Sequence, residues 1–413
     1  MILFPIATSY SPRSAIWTTL LATGLLPILH GADTVIVDGS NPAALDSNPG
    51  TEAAPLKTIA KAVALVAPGQ RVIIKGGIYR ESVIITTSGT AEQPITIMSA
   101  TGERATISGA DVISGWKRCT KAELPNHPDP AKITYVELDW KPINIYADGD
   151  RLPLRIASWP TVSNGERIAS NSKAPDNHHH IEGGSPRTLI DSQHLTQPAG
   201  FWDGGRVVIH RFWLSDGKMV SDQFLNCDVI GYDPAKHELT LSELSSKNLS
   251  LDPTVKQIIP DSRPIQGVDK EAGLLMSDWY QISNLPNLID EPGKFAVVGS
   301  GKKYRVYVWA PDGVDLERQL VEGSRRGHGL RGQGVSHVSF IGLDVTGTTQ
   351  RPLSFDHGEH NTIRFCCSYN NRHGPFMGEA FGLYLSEQKH SKITNCISVL
   401  NGCGINVFHS SDC

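Results

Sequence analysis

The sequence predicts an all-β solenoid, in which short strands stack coil upon coil. Between residues 71 and 108, runs rich in Val and Ile recur about every 10 to 12 residues, separated by polar or Gly-containing turns, with no helical pattern between them. Near the C-terminus, strand-like segments begin at residues 337, 362 and 392, which are offset by 25 and 30 residues. A repeat of this length is typical of solenoid coils, and coils must stack because one alone cannot bury its apolar face.

The composition is that of an ordinary globular protein. The chain has 413 residues, 39% hydrophobic and 19% charged, and its 39 Gly and 26 Pro are too few for collagen or a disordered chain. Lys and Arg total 38 against 42 Asp and Glu, a net charge of −4. No global positive field would attract nucleic acid or an anionic membrane, so we expect neither as a partner.

Residues 1–32 have the pattern of a secretory signal peptide. Arg13 precedes an apolar run from Ala15 to Leu29, and the small residues Gly31 and Ala32 follow it. The run is shorter than the ~20 residues needed to cross a bilayer. We therefore predict a secreted or periplasmic protein with no membrane span after signal cleavage.

The remaining chain divides into three predicted regions. Residues 33–118 form an N-terminal cap and the first coils, where the apolar spacing of residues 55–67 predicts a helix that ends at Pro68-Gly69. Residues 119–330 lose the repeating rhythm and predict an inserted β-rich domain. Residues 331–413 return to β coils. Because no polar cap follows the last strand, we expect the C-terminal coils to be missing and the chain to be a fragment.

The last coils contain a second set of strands with alternating residues. Leu353 and Phe355 should point inward, as should their counterparts at 383, 385, 405 and 407. Ser354, Tyr384 and Asn406 would then form a row on the outer face.

Seven cysteines are present, five of them in the last 48 residues. The number is odd and the chain is long, which argues against a disulfide scaffold. Cys396 and Cys403 could pair in an oxidising compartment, but the favoured interpretation is that cysteine fills a narrow β core.

Two stretches resemble known β-helix proteins. Residues 38–116, including LKTIAKAVALVAPGQRVIIKGGIYRESV, resemble the entry to the right-handed parallel β-helix of the pectin-lyase-like superfamily. NIYADGDRLPLRIASWP (144–160) and residues 287–313 resemble the inserted β segments of secreted β-helix glycoside hydrolases of fucosidase and xylanase type. The resemblance implies a right-handed parallel β-helix with an N-terminal capping helix, an inserted β domain and a polysaccharide substrate. Lyases of this superfamily use a Lys or Arg base, often beside calcium, and the sequence shows no clear match to that arrangement.

Hydrolysis of a glycosidic bond needs two carboxyl groups, one that donates a proton and one that is ionised. Four acidic residues lie in or beyond the strands of the outer face: Asp356, Glu359, Glu379 and Glu387. Coils spaced ~4.8 Å apart would bring carboxylates of adjacent coils within the ~5.5 Å of retaining enzymes or the ~6.5 to 9.5 Å of inverting ones. These four are the candidate catalytic residues.

Other polar residues around the same coils are candidates for binding substrate. They occupy the turns beyond the strands or the Gly-rich excursion of residues 371–382, which could form a cleft wall. The set is His357, Arg372, His373, Tyr384 and His409. The cluster at 356–360 lacks the helical spacing of a zinc hydrolase motif, and the histidines at 178–180 are assigned to a loop rim or a sugar-contacting segment. We therefore assign no metal ligand and no cofactor, with calcium expected only if the protein is a lyase.

Three functions remain open at this point. The first is a monomeric glycoside hydrolase that acts on a polysaccharide with paired carboxylates. The second is a calcium-assisted polysaccharide lyase. The third is a non-catalytic carbohydrate-binding or surface protein.

Overall fold

The computed structural model describes residues 34–147, 152–161, 179–185, 187–215, 218–242, 268–269, 274–371 and 381–413. In these residues nearly all regular structure is β strand. The strands form three parallel sheets and three sheets that are mainly antiparallel. No described helix is long and apolar enough to span a lipid bilayer.

The three parallel sheets are the faces of a solenoid. The first contains, in spatial order, β1 (Thr34–Val37), β2 (Arg71–Ile74), β5 (Ile95–Ser99), β26 (Val338–Ile341), β29 (Thr362–Arg364) and β32 (Lys392–Thr394). The second contains β3 (Gly77–Tyr79), β6 (Ala105–Ser108), β27 (Leu343–Thr346), β30 (Cys367–Tyr369) and β33 (Ile397–Val399). The third contains β4 (Val83–Ile85), β25 (His328–Gln333), β28 (Arg351–Glu359), β31 (Phe381–Lys389) and β34 (Cys403–Phe408). The chain visits the three sheets in turn, so the predicted parallel β-helix is confirmed.

Apolar side chains stack in columns along the inside of the helix. In the first sheet, the column is Val72, Ile97, Phe340, Ile363 and Ile393, one residue from each successive strand. Pleated strands send alternate side chains to the same face, so an in-register stack turns a two-residue alternation into a continuous core.

The third sheet shows the same alternation, and the inward direction predicted for Leu353 and Phe355 is confirmed by their complete burial. Ile405 and Val407 of β34 continue these columns but remain about half exposed, because no described strand covers them. No disulfide joins any of the described cysteines, and Cys366 and Cys396 pack into the core of the solenoid.

The helix α1 (Ile59–Leu65) covers the N-terminal end of the stack. Its inner face buries Ile59, Ala62 and Val63 against the first coils. The Thr58 hydroxyl accepts a hydrogen bond from the Lys61 N–H, which caps the first turn. The helix is shorter than the predicted span of 55–67, because Leu56 instead forms a β-bridge with Val37.

The insertion interrupts one coil between its second and third sheets. The chain leaves the coils after Gly109, whose carbonyl accepts hydrogen bonds from the backbone N–H groups of Arg325 and Arg326 at 2.9 Å each. A Cβ atom at Gly109 would lie 2.7 Å from the carbonyl oxygen of Gly347, so the crossing point requires glycine. The chain therefore leaves the coils and returns to them at one residue. The predicted limits of the inserted domain, residues 119 and 330, remain a prediction.

Three further sheets are built from the inserted chain. The four-stranded sheet contains β11 (Leu152–Pro153), β10 (Ile145–Ala147), β24 (Val321–Ser324) and β7 (Ala110–Ile113). The five-stranded sheet contains β12 (Arg155–Ile156), β22 (Lys294–Ser300), β23 (Lys303–Val308), β9 (Thr134–Leu138) and β8 (Lys117–Arg118). The nine-stranded sheet contains β13 (Ser158–Trp159), β21 (Leu274–Ser283), β17 (Arg206–Ser215), β18 (Lys218–Asp233), β19 (Glu238–Leu241), β16 (Thr188–Ile190) and β15 (Gly183–Ser185), with β14 (His179–His180) and β20 (Val268–Asp269) paired to β21.

Two glycines at equivalent positions of adjacent coils give a test of coil packing. A Cβ atom on Gly382 would collide with Ser398 Oγ and lie 2.5 Å from the carbonyl oxygen of Gly404, whereas a Cβ on Gly404 meets only Ser398 Oγ, at 4.0 Å. We expect Gly382→Ala to lower the free energy of unfolding by about 1–3 kcal/mol through overpacking. The control Gly404→Ala should change it by less than about 0.5 kcal/mol. Urea unfolding of both variants tests this, and equal stability would contradict the described register.

Candidate functional site

A polar row runs across the outer face of the third parallel sheet. Arg331, Ser354, Tyr384 and Asn406 lie opposite one another on four successive strands. The alignment predicted for Ser354, Tyr384 and Asn406 is therefore confirmed. Ser354 and Tyr384 are nevertheless buried in this row. The guanidinium of Arg351 lies 4.4 Å from the centre of the Tyr384 ring and covers it.

Beside the row, one carboxylate lies between two guanidinium groups. Asp356 has 3% of its side chain exposed, and its Oδ2 and Oδ1 accept hydrogen bonds from Arg331 Nε and Arg351 Nη1, each at 2.6 Å. Alternation along β28 explains the position, because Asp356 follows Ser354 by two residues while Leu353 and Phe355 point inward. Two cations against one anion leave this part of the face positive.

His328 borders the same group, opposite Arg351 on the neighbouring strand. Burial lowers the pKa of its imidazole, and the positive charges of Arg331 and Arg351 lower it further. A neutral imidazole beside two guanidinium groups adds a hydrogen-bonding group without adding charge.

Beyond the polar row, each of the strands β25, β28, β31 and β34 contains, or is followed by, a residue with left-handed backbone conformation. The residues at this position are Gly334, His357, Glu387 and His409, with φ of 63°, 54°, 51° and 46°. Because the conformation recurs on four coils, it belongs to the architecture of the coil. His357 Nδ1 and Glu387 Oε2 of adjacent coils are 2.8 Å apart, and both side chains are exposed.

The register decides which candidate carboxylates approach each other. Asp356 lies opposite Ser386, so Glu387 is one position away on the next coil. Glu359 lies opposite Lys389, three residues beyond Asp356 along β28. The structure thus brings Asp356 and Glu387 to neighbouring positions and places Glu359 apart from them. The candidates Arg372, His373 and Glu379 lie outside the described residues.

His409 occupies the fourth coil at the position of Glu387, where its ring stacks on that of Phe408 with centroids 3.8 Å apart. Sequence reasoning missed Arg331, Arg351 and His328. Arg331 had a detectable signal, since it precedes Ser354 by 23 residues, about one coil.

A group of three potential metal ligands lies elsewhere. In the described part of the chain, His179, Asp191 and His194 of the insertion are the residues whose ligand atoms come close enough to share one ion. The expectation of calcium, made for the case of a lyase, stays a prediction.

The stacked parallel sheets, the capping helix and the interrupted coil define this chain as a parallel β-helix protein. Residues 43–101 match a family described as a protein of unknown function, DUF1565, which is a parallel β-helix family. That match covers the helix α1 and the first coils.

One curated protein and two solved structures illustrate what this chain is similar to. The uncharacterized protein YwoF of Bacillus subtilis (strain 168) is 38% identical over 72 residues, which are 17% of this chain and 15% of YwoF. A solved structure titled "Glycoside hydrolase" has a TM-score of 0.59 and 14% identity, with 88% of this chain covering 65% of that one. A structure titled as the complex of XylC with xylose has a TM-score of 0.41 and 12% identity, covering 91% of this chain and 60% of XylC. The chain thus spans a small part of YwoF and less than two thirds of the similar hydrolase.

Proposed function

We propose that this protein hydrolyses glycosidic bonds in a polysaccharide, with Asp356 and Glu387 as its two carboxyl groups. The observation that carries the proposal is the register of β28 and β31, which sets these residues one position apart on adjacent coils. Coil spacing of ~4.8 Å combined with a one-residue step of ~3.3 Å separates their backbones by about 6 Å. Side chains that start from backbones this close can place their carboxyl groups at the ~5.5 Å of retaining or the ~6.5 to 9.5 Å of inverting glycosidases.

The two carboxyl groups differ in their surroundings, as acid and base must. Both oxygens of Asp356 accept hydrogen bonds from guanidinium groups, which suits a base or a charge-stabilising carboxylate. Glu387 is exposed, with Oε2 2.8 Å from Nδ1 of His357, so a glycosidic oxygen of a bound polysaccharide can reach its carboxyl group. We therefore assign proton donation to Glu387.

The charge of the site indicates the kind of sugar. Arg331 and Arg351 bring two positive charges to one carboxylate, and guanidinium groups bind carboxylates and sulfates well. The buried ring of Tyr384 lies beneath Arg351 and supports its guanidinium group. We propose that the substrate is an acidic polysaccharide, whose carboxylate or sulfate groups contact the arginines. The solved structure titled "Glycoside hydrolase" supports the carbohydrate-active class through its shared fold.

A lyase is the second candidate, and the same two arginines favour it. Lyases neutralise the carboxylate of a uronic acid before a base removes the adjacent proton, and cationic side chains perform the first task. Lyase products contain a conjugated double bond that absorbs in the ultraviolet, whereas hydrolysis gives only new reducing ends. The two reactions are therefore separable in one assay.

The test is a screen of the full chain on acidic and neutral plant and algal polysaccharides. We expect reducing ends to appear without ultraviolet absorbance, on acidic substrates and in the presence of a chelator. Chelator-sensitive absorbance would establish the lyase instead. Retention of polysaccharide without either signal would establish a binding protein.

We also propose that residues 1–32 are a signal peptide and that the protein is exported. The support is the sequence pattern of this segment, which lies outside the described residues. N-terminal sequencing of protein recovered from outside the cytoplasm should begin near residue 33. An intact Met1 on the exported protein would contradict the assignment.

A further inference from the structure

The inserted region brings together three side chains that are unrelated to the polar row of the coils. His179 belongs to β14, which pairs with β21 opposite Tyr280. Asp191 follows β16 directly, and His194 lies three residues later. One ligand atom from each of the three side chains lies within 4.8 Å of the other two. Different strands thus converge on one point.

Asp191 is held rigidly at this point. Its side chain is 1% exposed, and Oδ2 accepts a hydrogen bond of 2.7 Å from the Tyr280 hydroxyl. Oδ1 accepts the backbone N–H groups of Gln193 and His194 at 3.1 and 3.0 Å. Carboxylates that bind metal ions are usually held in place by hydrogen bonds from several donors, as Asp191 is.

The charge of Asp191 also needs compensation. In the described part of the chain its ion-pair partner is the imidazole of His194, with Nδ1 2.9 Å from Oδ2. A buried carboxylate is costly unless it is paired with a cation or coordinates a metal. A metal ion bound by Asp191 and the two histidines would provide this compensation.

The two imidazoles lie close together beside Asp191. The rings of His179 and His194 stack with centroids 3.8 Å apart and an angle of 26° between their planes. Trp159 packs against this pair, 4.2 Å from the ring of His179 and 6.2 Å from that of His194, and its ring lies 4.8 Å from that of Trp202. Each imidazole has a nitrogen that can bind a metal ion, and the ligand atoms of both rings lie within 4.8 Å of each other.

We propose that His179, Asp191 and His194 bind a divalent transition-metal ion, for which Zn²⁺ is the best match. Two imidazole nitrogens and one carboxylate oxygen suit Zn²⁺, whereas Ca²⁺ and Mg²⁺ prefer oxygen ligands only. Three protein ligands leave the fourth tetrahedral position to water or to a hydroxyl of a bound molecule. This inference does not depend on the proposed hydrolysis.

The test measures Zn²⁺ binding to the full chain after removal of metal with a chelator. We expect one Zn²⁺ per chain by calorimetry and metal analysis, and no displacement by excess Ca²⁺ or Mg²⁺. His179→Ala and His194→Ala should each weaken binding at least tenfold. His360→Ala is the matched control, because that histidine also stacks on a second imidazole but lies on the coils, and it should bind Zn²⁺ like the parent.

Asp191→Asn keeps one of the two acceptor oxygens while removing the charge, and its fold is checked by circular dichroism. It should lose affinity with an unchanged spectrum. Cobalt(II) in place of zinc should give the visible absorption of a four-coordinate ion, which the histidine variants lose. Absence of Zn²⁺ binding, or equal affinity in all variants, would overturn the site, and displacement by Ca²⁺ would overturn the metal class.

Discussion

Glu387→Gln is expected to reduce kcat on the polysaccharide about 10²–10⁴-fold, the usual contribution of a general acid. Glutamine has the size of glutamate but no proton to donate to the leaving oxygen. The side chain of Glu387 is 52% exposed, so the free energy of unfolding should change by less than about 1 kcal/mol. Release of reducing ends and urea unfolding measure the two quantities separately.

The control for this variant is another exposed glutamate with one cationic partner. Glu137 in the insertion is 55% exposed and pairs with Arg305 at 2.7 Å, much as Glu387 pairs with His357 at 2.8 Å. Glu137→Gln should retain full activity. Full activity in Glu387→Gln would remove Glu387 from the proposed pair, while equal losses in both variants would mean that the assay reports a general charge effect.

The alternation and register of the last coils were predictable because both depend on the backbone. A strand sends residues 353 and 355 to one side whatever their neighbours are, and a repeat of constant length aligns Ser354 with Tyr384. The length of α1 was less predictable from the sequence. Leu56 fits the apolar spacing of a helix, and it fits a β-bridge equally well. Local pattern alone cannot distinguish the two when a neighbouring strand supplies the hydrogen bonds.

The chemistry of the site depends on contacts that sequence spacing does not determine. Asp356 was a candidate, but its two arginines come from the preceding coil and from the start of its own strand, and their approach depends on side-chain conformation. In the insertion, Asp191 meets Tyr280 across 89 residues with no repeat to relate them. The cluster of His179, Asp191 and His194 therefore had no signal in the sequence beyond its residue types.

Asp356→Ala is expected to lower the free energy of unfolding by about 3 kcal/mol. Removing one partner of a buried ion pair costs about 3–5 kcal/mol, because the other charge loses its compensation. In this variant Arg331 and Arg351 would face each other without the carboxylate between them. Both keep some contact with solvent, so the loss of unfolding free energy should lie at the lower end of that range. Urea unfolding at neutral pH measures the change, and Asp356→Asn, which retains one acceptor oxygen, should lose less.

Asp111 provides the comparison that separates burial from ion pairing. It too accepts hydrogen bonds from two arginines, Arg325 at 2.9 Å and Arg326 at 2.7 Å, but this group is more exposed than that of Asp356. Burial acts to raise the pKa of Asp111, and the two arginines outweigh it, so the pKa lies below its ordinary value. Because solvent screens the remaining charges, Asp111→Ala should lower the free energy of unfolding by about 1 kcal/mol or less. If Asp111→Ala and Asp356→Ala lowered the free energy of unfolding equally, ion pairing alone, and not burial of the charge among the coils, would determine stability at the polar row.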